Sequence, residues 1–405
     1  MPCSTPALTG PWGRREICKG EKTGSAILAP CFEEARVKRL LPAILSTLAA
    51  LNTPAFAQQN VPEIAYDAVP NFFKLPPEMN FGEGAGIAVN SKGHIFVFTR
   101  SNSAGGPAYG AAASQLLEFG PDGRFIREIG KGLYAWSFAH VVRVDKDDNI
   151  WCVDKGSDMI VKFNPEGHVV MVFGRKKEAS DEGAAPWEHP KPPRPPVDGQ
   201  FRQPTDVTWD PQGNIFISDG YVNSRIAKYD KNGEWVKSWG EPGSGPGQLN
   251  TPHTITSDAL GNIYVGDRGN RRVQVFDGEG KLLREIKINV PAPQGARSAI
   301  GPTPGPDVQG TMAPGAPWAI CITPGPTQYL YVADAFPGRI YKLTLDGTVL
   351  GMFGRAGKQL KQFGWVHEID CHSENELYIA EVLNWRAQKL ILHPEKKTST
   401  AGEAR

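Results

Sequence analysis

The sequence predicts an all-β fold, a six-bladed β-propeller, and a repeated strand pattern is the main reason. Four segments share one plan of three short apolar-alternating runs with an Asp after the second: residues 141–163, 206–229, 254–276 and 319–343. A fourth run follows each of them, at 167–173, 233–239, 280–286 and 347–353. Period-two alternation is typical of half-buried strands, and four strands in roughly 45 to 65 residues are typical of a propeller blade.

Two weaker copies of the pattern, at 86–129 and 368–392, bring the predicted number of blades to six. The last copy ends after its third strand, near Leu390. A ring has to close, so the missing strand must come from elsewhere, and residues 63–73 upstream of the first copy are the obvious donor. Pairing of the chain ends would also remove exposed sheet edges.

Composition excludes some classes of partner. The chain has 405 residues, a formal net charge of +1 and 21% charged residues. This near-neutral balance gives no electrostatic reason to expect nucleic acid or an anionic membrane as a partner. The 45 glycines and 35 prolines suit a fold with many tight turns.

The N-terminal region resembles a secretory signal. Two basic residues at 38–39 precede an apolar run at 40–51 and a small-x-small cleavage site at 55–57. The apolar run is too short to span a bilayer, so we expect a secreted or periplasmic protein without a membrane span after cleavage. The predicted division is a non-native upstream extension at 1–36, with Val37 as the true start, a signal peptide at 37–57, the propeller at 58–394 and a polar tail at 395–405.

Three cysteines, Cys152, Cys321 and Cys371, lie after the predicted cleavage site, each in a strand-like run. An odd number of cysteines in strands predicts small buried apolar residues and no disulfide framework, although it leaves a single pair open. Two Pro-rich inserts, at 176–203 and 290–314, are inter-blade loops that could be lids or substrate walls, or else disordered decoration.

Histidines occur at one position of every second blade. Alignment of the first strands places these residues together: Ala85, His140, Thr205, His253, Trp318 and His367. The first strand of a blade lines the central channel, so side chains from alternate blades converge on the axis. Three imidazoles predict a zinc site with an open fourth position, and ordinary channel histidines are the alternative. The other histidines fall on turns, inserts or strand ends, where we expect solvated side chains: His94, His168, His189, His372 and His393.

A second set of residues lies where the second strands end. Arg100, Lys155 and Arg268 occupy one equivalent position, and Tyr221 stands one residue further on in its own blade. Cations near a metal would bind an anionic substrate, and a guanidinium near a phenol favours the phenolate as a base. Surface salt bridging is the alternative. The acids that precede this position recur from blade to blade and are expected to bind loop N–H groups: Asp154, Asp219, Asp267, Asp334 and Glu381.

The blades resemble the NHL repeat, and the segments 219–225, 239–248, 252–253 and 267–268 resemble peptidyl-α-hydroxyglycine α-amidating lyases. The resemblance implies that His140, His253 and His367 bind zinc. It also implies that Tyr221 is the catalytic tyrosine, with Arg100 and Arg268 as the active-site arginines.

The same resemblance implies a structural calcium held by the backbone carbonyls of Ile87 and Val142 and the carboxylate of Glu368. The family has Asp where this chain has Glu368, which keeps the charge but changes the reach. Two further departures are Val222, where animal members have a cysteine, and Trp365, where the family has a methionine. The second alters the expected pocket wall.

The leading functional hypothesis is a carbon–nitrogen lyase, secreted and zinc-dependent, that splits α-hydroxyglycine-type carbinolamides into an amide and glyoxylate. Its substrate would be a small molecule or peptide that bears a carboxylate. One alternative is a lactonase-like metal-dependent propeller hydrolase, but such enzymes hold their metal with carboxylate and amide groups. The other alternative is a non-catalytic NHL propeller that serves as a binding module.

Overall fold

A computed structural model describes residues 61–100, 114–176, 195–305 and 308–397, and their strands form six antiparallel four-stranded sheets. Blade 1 contains β2 (Glu83–Val89), β3 (Ile95–Arg100), β4 (Ser114–Phe119) and β5 (Phe125–Ile129). Blade 2 contains β6 (Ala139–Val144), β7 (Ile150–Asp154), β8 (Met159–Phe163) and β9 (Val169–Gly174). Blade 3 contains β10 (Asp206–Trp209), β11 (Ile215–Asp219), β12 (Arg225–Tyr229) and β13 (Trp235–Trp239).

The remaining blades follow the same order. Blade 4 contains β14 (Pro252–Ser257), β15 (Ile263–Asp267), β16 (Arg272–Phe276) and β17 (Leu282–Ile286). Blade 5 contains β18 (Ala319–Ile322), β19 (Tyr329–Ala333), β20 (Ile340–Thr344) and β21 (Val349–Phe353). Blade 6 contains β22 (Val366–Asp370), β23 (Glu376–Glu381) and β24 (Arg386–Lys397), and its fourth strand is β1 (Ile64–Ala68). Two short 3-10 turns, Arg268–Asn270 and Gly310–Met312, are the only helical segments in the described residues.

The ring closes through β1, as predicted. This strand lies outside β24 and pairs with it in antiparallel register, with Tyr66 opposite Leu392 and Ala68 opposite Leu390. The ring of Tyr66 packs 4.9 Å from Phe353 and 6.2 Å from Phe363, measured between ring centroids. The N-terminal strand therefore completes blade 6 and also packs against the outer strand of blade 5.

The repeat predicted from sequence is confirmed strand by strand, and the six-bladed propeller with it. In the last blade, β24 continues to Lys397, beyond the end of the predicted repeat. The proposed extension, signal peptide and most of the polar tail lie outside the described residues, as does His189. No helix in the described part of the chain is long and apolar enough to cross a membrane.

Apolar side chains between neighbouring blades hold the sheets in place. Between blades 2 and 3, for example, Trp151 and Phe173 pack against Tyr229 and Trp209. Trp151 is 1% exposed, so this contact is part of the core. Because each sheet is fixed against both neighbours in this way, the inner strands keep equivalent positions around the channel.

One disulfide is present among the described residues, between Cys321 of β18 and Cys371 just after β22. It joins the inner strands of blades 5 and 6. Cys152 is a buried free thiol. The single pair that the sequence left open is therefore formed.

We expect Tyr66→Ala to destabilise the protein by about 3 kcal/mol, because a large buried side chain is lost from the closing strand. Urea denaturation followed by tryptophan fluorescence measures this change. Tyr134, which is 62% exposed, is the matched control, and Tyr134→Ala should change the free energy of unfolding by less than about 0.5 kcal/mol. Equal effects of the two substitutions would show that β1 contributes little to closure.

Candidate active site and metal centre

A β-bulge places each of the three histidines. The pairing of β6 with β7 shifts register between Ala139 and Val141, so His140 is the extra residue. The same shift brackets His253 in β14 and His367 in β22. An extra residue re-aims a side chain without moving the rest of the strand. The bulges therefore direct three imidazoles from alternate blades towards one another.

Each histidine is also held by the next blade. The Nδ1 atom of His140 lies 2.6 Å from the carbonyl oxygen of Thr205, and that of His253 lies 2.7 Å from the carbonyl oxygen of Trp318. His367 Nδ1 makes the corresponding contact with Ala85 at 2.8 Å. A carbonyl can only accept, so Nδ1 carries the proton and the lone pair is on Nε2.

The three imidazoles form a compact donor set. Their ligand atoms all lie within 4.8 Å of one another, and no other group of this kind occurs in the described residues. Burial lowers the pKa of all three rings well below the ordinary value, and the nearby cations lower it further. Neutral imidazoles with free Nε2 atoms and fixed Nδ1 partners are what a zinc ion requires, so these residues fit that metal.

Tyr221 lies beside this donor set. Its hydroxyl oxygen is 3.1 Å from Nε2 of His253 and 3.4 Å from Nε2 of His140. The preceding Gly220 allows this approach, since a Cβ atom there would lie 1.9 Å from the carbonyl oxygen of Pro252. The loop after β11 can therefore press against blade 4 only with glycine at this position.

Three cations surround the phenol. The Lys155 ammonium lies 3.8 Å from the centre of the Tyr221 ring, and the Arg268 guanidinium carbon lies 5.5 Å from it. Burial raises the pKa of Tyr221, but the charges of Arg268, Lys155 and Arg100 together outweigh it and leave the pKa below its ordinary value. The phenolate is therefore more accessible here than in water.

Arg268 has the properties of an anion-binding group. The residue is 7% exposed, and its guanidinium carbon lies 4.4 Å from the centre of the Trp318 ring. Its Nε atom is buried and finds no acceptor among the described residues. A buried donor without an acceptor is costly, and a substrate carboxylate would satisfy it.

Arg100 is already committed to protein partners. It donates from Nη1 to Glu83 at 2.7 Å and from Nε to the carbonyl oxygen of Ala139 at 3.0 Å. Its guanidinium also stacks on Phe138 at 3.9 Å. Arg100 therefore lies next to the strand of His140 with part of its charge compensated, which suits a positioning role better than direct capture of an anion.

Two tryptophans line the site next to Arg268. The rings of Trp318 and Trp365 are 5.0 Å apart, and Trp318 lies 5.7 Å from His253. Trp318 Nε1 donates to the carbonyl oxygen of Thr311 at 2.6 Å, within the Pro-rich insert 290–314. The structure favours the interpretation of this insert as a substrate wall over that of disordered decoration, because the insert holds an aromatic side chain of the site in place.

The recurrent acids bind loop N–H groups, as expected. Asp154 accepts from the backbone of Ser137 and Phe138, and Asp334 accepts from Gly315, Gly338 and Arg339.

The sequence pattern did not predict that Lys155 lies against the Tyr221 ring. A signal was available, because Lys155 shares its repeat position with Arg100 and Arg268.

The residues implied for calcium lie one step further along the channel. Glu368 Oε2 accepts from the backbone N–H groups of Ile87 at 2.8 Å and Val142 at 3.1 Å. Glu368 Oε1 lies 3.0 Å from Nε of Arg143. Donors and a guanidinium surround this carboxylate, so the residues do not fit a divalent cation, which needs oxygen ligands on all sides.

A cavity in the described part of the chain lies away from the histidines. It has a volume of about 730 Å³ and opens at the far ends of the inner strands, against Trp151, Trp209 and the turns at 145–147, 210–213 and 257–259. None of the site residues lines it. We place the chemistry at the histidines because the metal-binding donors, the phenol and the unsatisfied guanidinium are found together there.

Comparison with known sequences finds a repeat profile and related lyases. The NHL repeat profile matches residues 249–276, which include His253 and Arg268. Peptidyl-alpha-hydroxyglycine alpha-amidating lyase 1 of Drosophila melanogaster is 26% identical over 404 residues, covering 93% of this chain and 66% of the fly protein. The chain thus contains a segment that matches the NHL repeat and is similar in sequence to peptidyl-α-hydroxyglycine α-amidating lyases.

Other relatives differ more in length or sequence. Peptidylglycine alpha-amidating monooxygenase of Rattus norvegicus is 28% identical over 305 residues, which are 67% of this chain but 29% of the rat protein. The crystal structure of virginiamycin B lyase from Staphylococcus aureus superposes with a TM-score of 0.50 at 15% identity, covering 82% of this chain and all of that one. The structural likeness shows the propeller fold.

Proposed function

We propose that this protein is a secreted, zinc-dependent lyase that converts N-acyl or peptidyl α-hydroxyglycines to an amide and glyoxylate. The observation that carries the proposal is the placement of the Tyr221 hydroxyl against the free Nε2 side of the His140, His253 and His367 cluster. The named activity of the lyase relatives supports the same chemistry.

The site residues suggest how the reaction proceeds. Zinc held by the three Nε2 atoms would supply Lewis acidity at the substrate hydroxyl. Tyr221, as the phenolate, takes the hydroxyl proton, and the O–H electron pair forms the carbonyl of glyoxylate as the C–N bond breaks. The C–N pair stays on the amide nitrogen, to which Tyr221 returns the proton. The reaction needs no oxidant or reductant, because the proton that Tyr221 removes from the hydroxyl is the one that it returns to the amide nitrogen.

The cations divide the remaining work. Arg268 binds the substrate carboxylate through its unsatisfied donor, which also keeps that carboxylate beside the phenol. Arg268 and Lys155 lower the pKa of Tyr221, and Arg100 adds to this effect from its place beside Glu83. This division makes Arg268, rather than Arg100, the main partner of both the substrate and the base.

The alternatives are less well supported. A lactonase-like hydrolase would hold its metal with carboxylate and amide groups, whereas the donor set here is three imidazoles. A non-catalytic binding module has no need for a buried tyrosine whose pKa is lowered.

We also propose secretion, on the basis of the signal-like segment at 38–57 and the Cys321–Cys371 disulfide, since such bonds persist in oxidising compartments. Mass spectrometry of the native protein should find a mature N-terminus at Gln58. Detection of peptides from residues 3–36 in the purified protein would contradict this.

Purified protein should hold about one zinc per chain, consistent with a single three-histidine centre. We expect His253→Ala to lose tight zinc binding, measured by mass spectrometry of metals after dialysis. His168→Ala is the matched control, because His168 is exposed and lies in a turn. Zinc retained by His253→Ala at the level of the control would remove the metal centre from the proposal.

Tyr221→Phe should lower the rate of glyoxylate release from α-hydroxyhippurate by roughly 10²–10⁴-fold, the range of general base catalysis. Zinc content should not change, because the substitution removes only the hydroxyl. The exposed Tyr134 provides the control Tyr134→Phe, which should be fully active. Full activity in Tyr221→Phe would exclude this mechanism, and no turnover by the zinc-loaded wild type would exclude the substrate class.

A further inference from the structure

Two buried carboxylates face the channel one residue beyond the histidine layer. Asp206 follows Thr205 in blade 3, and Glu368 follows His367 in blade 6, on opposite sides of the ring. Asp206 is 0% exposed and Glu368 is 1% exposed. Two carboxylates at this depth can both be ionised only beside a compensating positive charge, because an unpaired buried charge is strongly destabilising.

Arg143 provides that charge. From blade 2 it donates to Asp206 twice, from Nε to Oδ1 at 2.9 Å and from Nη2 to Oδ2 at 2.6 Å, which is a bidentate pair. The same Nε lies 3.0 Å from Oε1 of Glu368, and Nη2 lies 3.4 Å from the carbonyl oxygen of Ile320. A single guanidinium therefore touches blades 3, 5 and 6.

The hydrogen bonds of the Glu368 carboxylate leave one of its oxygens for Arg143. Its Oε2 atom accepts the two backbone N–H groups of Ile87 and Val142, while Oε1 accepts no hydrogen bond and meets only the charge of the guanidinium. Gly86 leaves the necessary room, since a Cβ atom there would lie 2.8 Å from Oε2. Burial raises the pKa of Glu368, and the charge of Arg143 opposes that rise.

We infer that the Arg143 guanidinium occupies the cation position of the channel, so that this chain keeps its ring without a calcium ion. A divalent ion beside Glu368 would be repelled by the guanidinium and would meet N–H groups rather than oxygen ligands. The inference concerns a different layer of the channel from the zinc centre, and it does not depend on lyase activity.

Metal content tests the inference first. The full protein, loaded with zinc and dialysed against calcium-free buffer, should contain less than about one tenth of a calcium per chain, since no oxygen-lined site is available. Its melting temperature should not change when calcium chloride is added to millimolar concentration. One tightly held calcium per wild-type chain, or a rise in melting temperature with calcium, would overturn the inference.

Arg143→Ser tests the position itself. This variant should melt several degrees lower than the wild type and should recover part of the loss in millimolar calcium, because the guanidinium that repels a divalent ion is gone and the two carboxylates lack a compensating charge. Arg124→Ser is the control, since Arg124 forms an exposed pair with Asp122, and it should show neither effect. Loss of stability without recovery in calcium would mean that no cation position exists there, which also overturns the inference.

A second variant covers the case in which Arg143→Ser does not fold. Arg143→Lys keeps the positive charge and should fold, with a melting temperature that does not respond to calcium. A clear rise of its melting temperature in calcium would show that the charge at residue 143 does not replace a metal ion.

Discussion

The rest of the structure depends on closure of the ring. Blade 6 has three strands of its own and takes the fourth from β1, which precedes blade 1 in the chain. Only a closed ring with equivalent blades brings His140, His253 and His367 to one point, because each contributes from a sheet about 120° away around the axis. An outer strand that contributes no residue to the site is therefore required for its geometry.

Side chains near the axis also join neighbouring blades to one another. Each histidine donates to the backbone of the following blade, so blade 2 is tied to blade 3, blade 4 to blade 5 and blade 6 to blade 1. The same contact selects the tautomer that leaves Nε2 free. One hydrogen bond per histidine thus serves both the architecture and the donor set.

Much of this arrangement could be predicted from the sequence, because a repeat exposes whatever departs from it. The strands, the closing segment and the shared position of the histidines follow from period and phase alone. Tyr221, Arg100 and Arg268 stand out because they break the pattern, and the structure brings all three to the histidines.

Contacts across the channel could not be predicted in the same way. The contacts of Arg143 with Asp206 and Glu368 depend on the direction of a long side chain and on the space left by Gly86. The repeat pattern in the sequence indicates neither of them. The pairing of Cys321 with Cys371 likewise depends on the inner strands of blades 5 and 6 lying side by side, which the sequence does not specify.

Trp365 occupies a position whose backbone conformation recurs in three blades. The residue two places before the axial position adopts a left-handed conformation in three blades, with φ of 58° at Gln203, 55° at Thr251 and 58° at Trp365. In each case its carbonyl accepts a backbone N–H from the end of the second strand or just beyond. This position thus accommodates a glutamine, a threonine or a tryptophan side chain without a change in backbone conformation. Selection could therefore exchange the side chain at residue 365, and with it the contour of the pocket, while the histidine two residues away keeps its place.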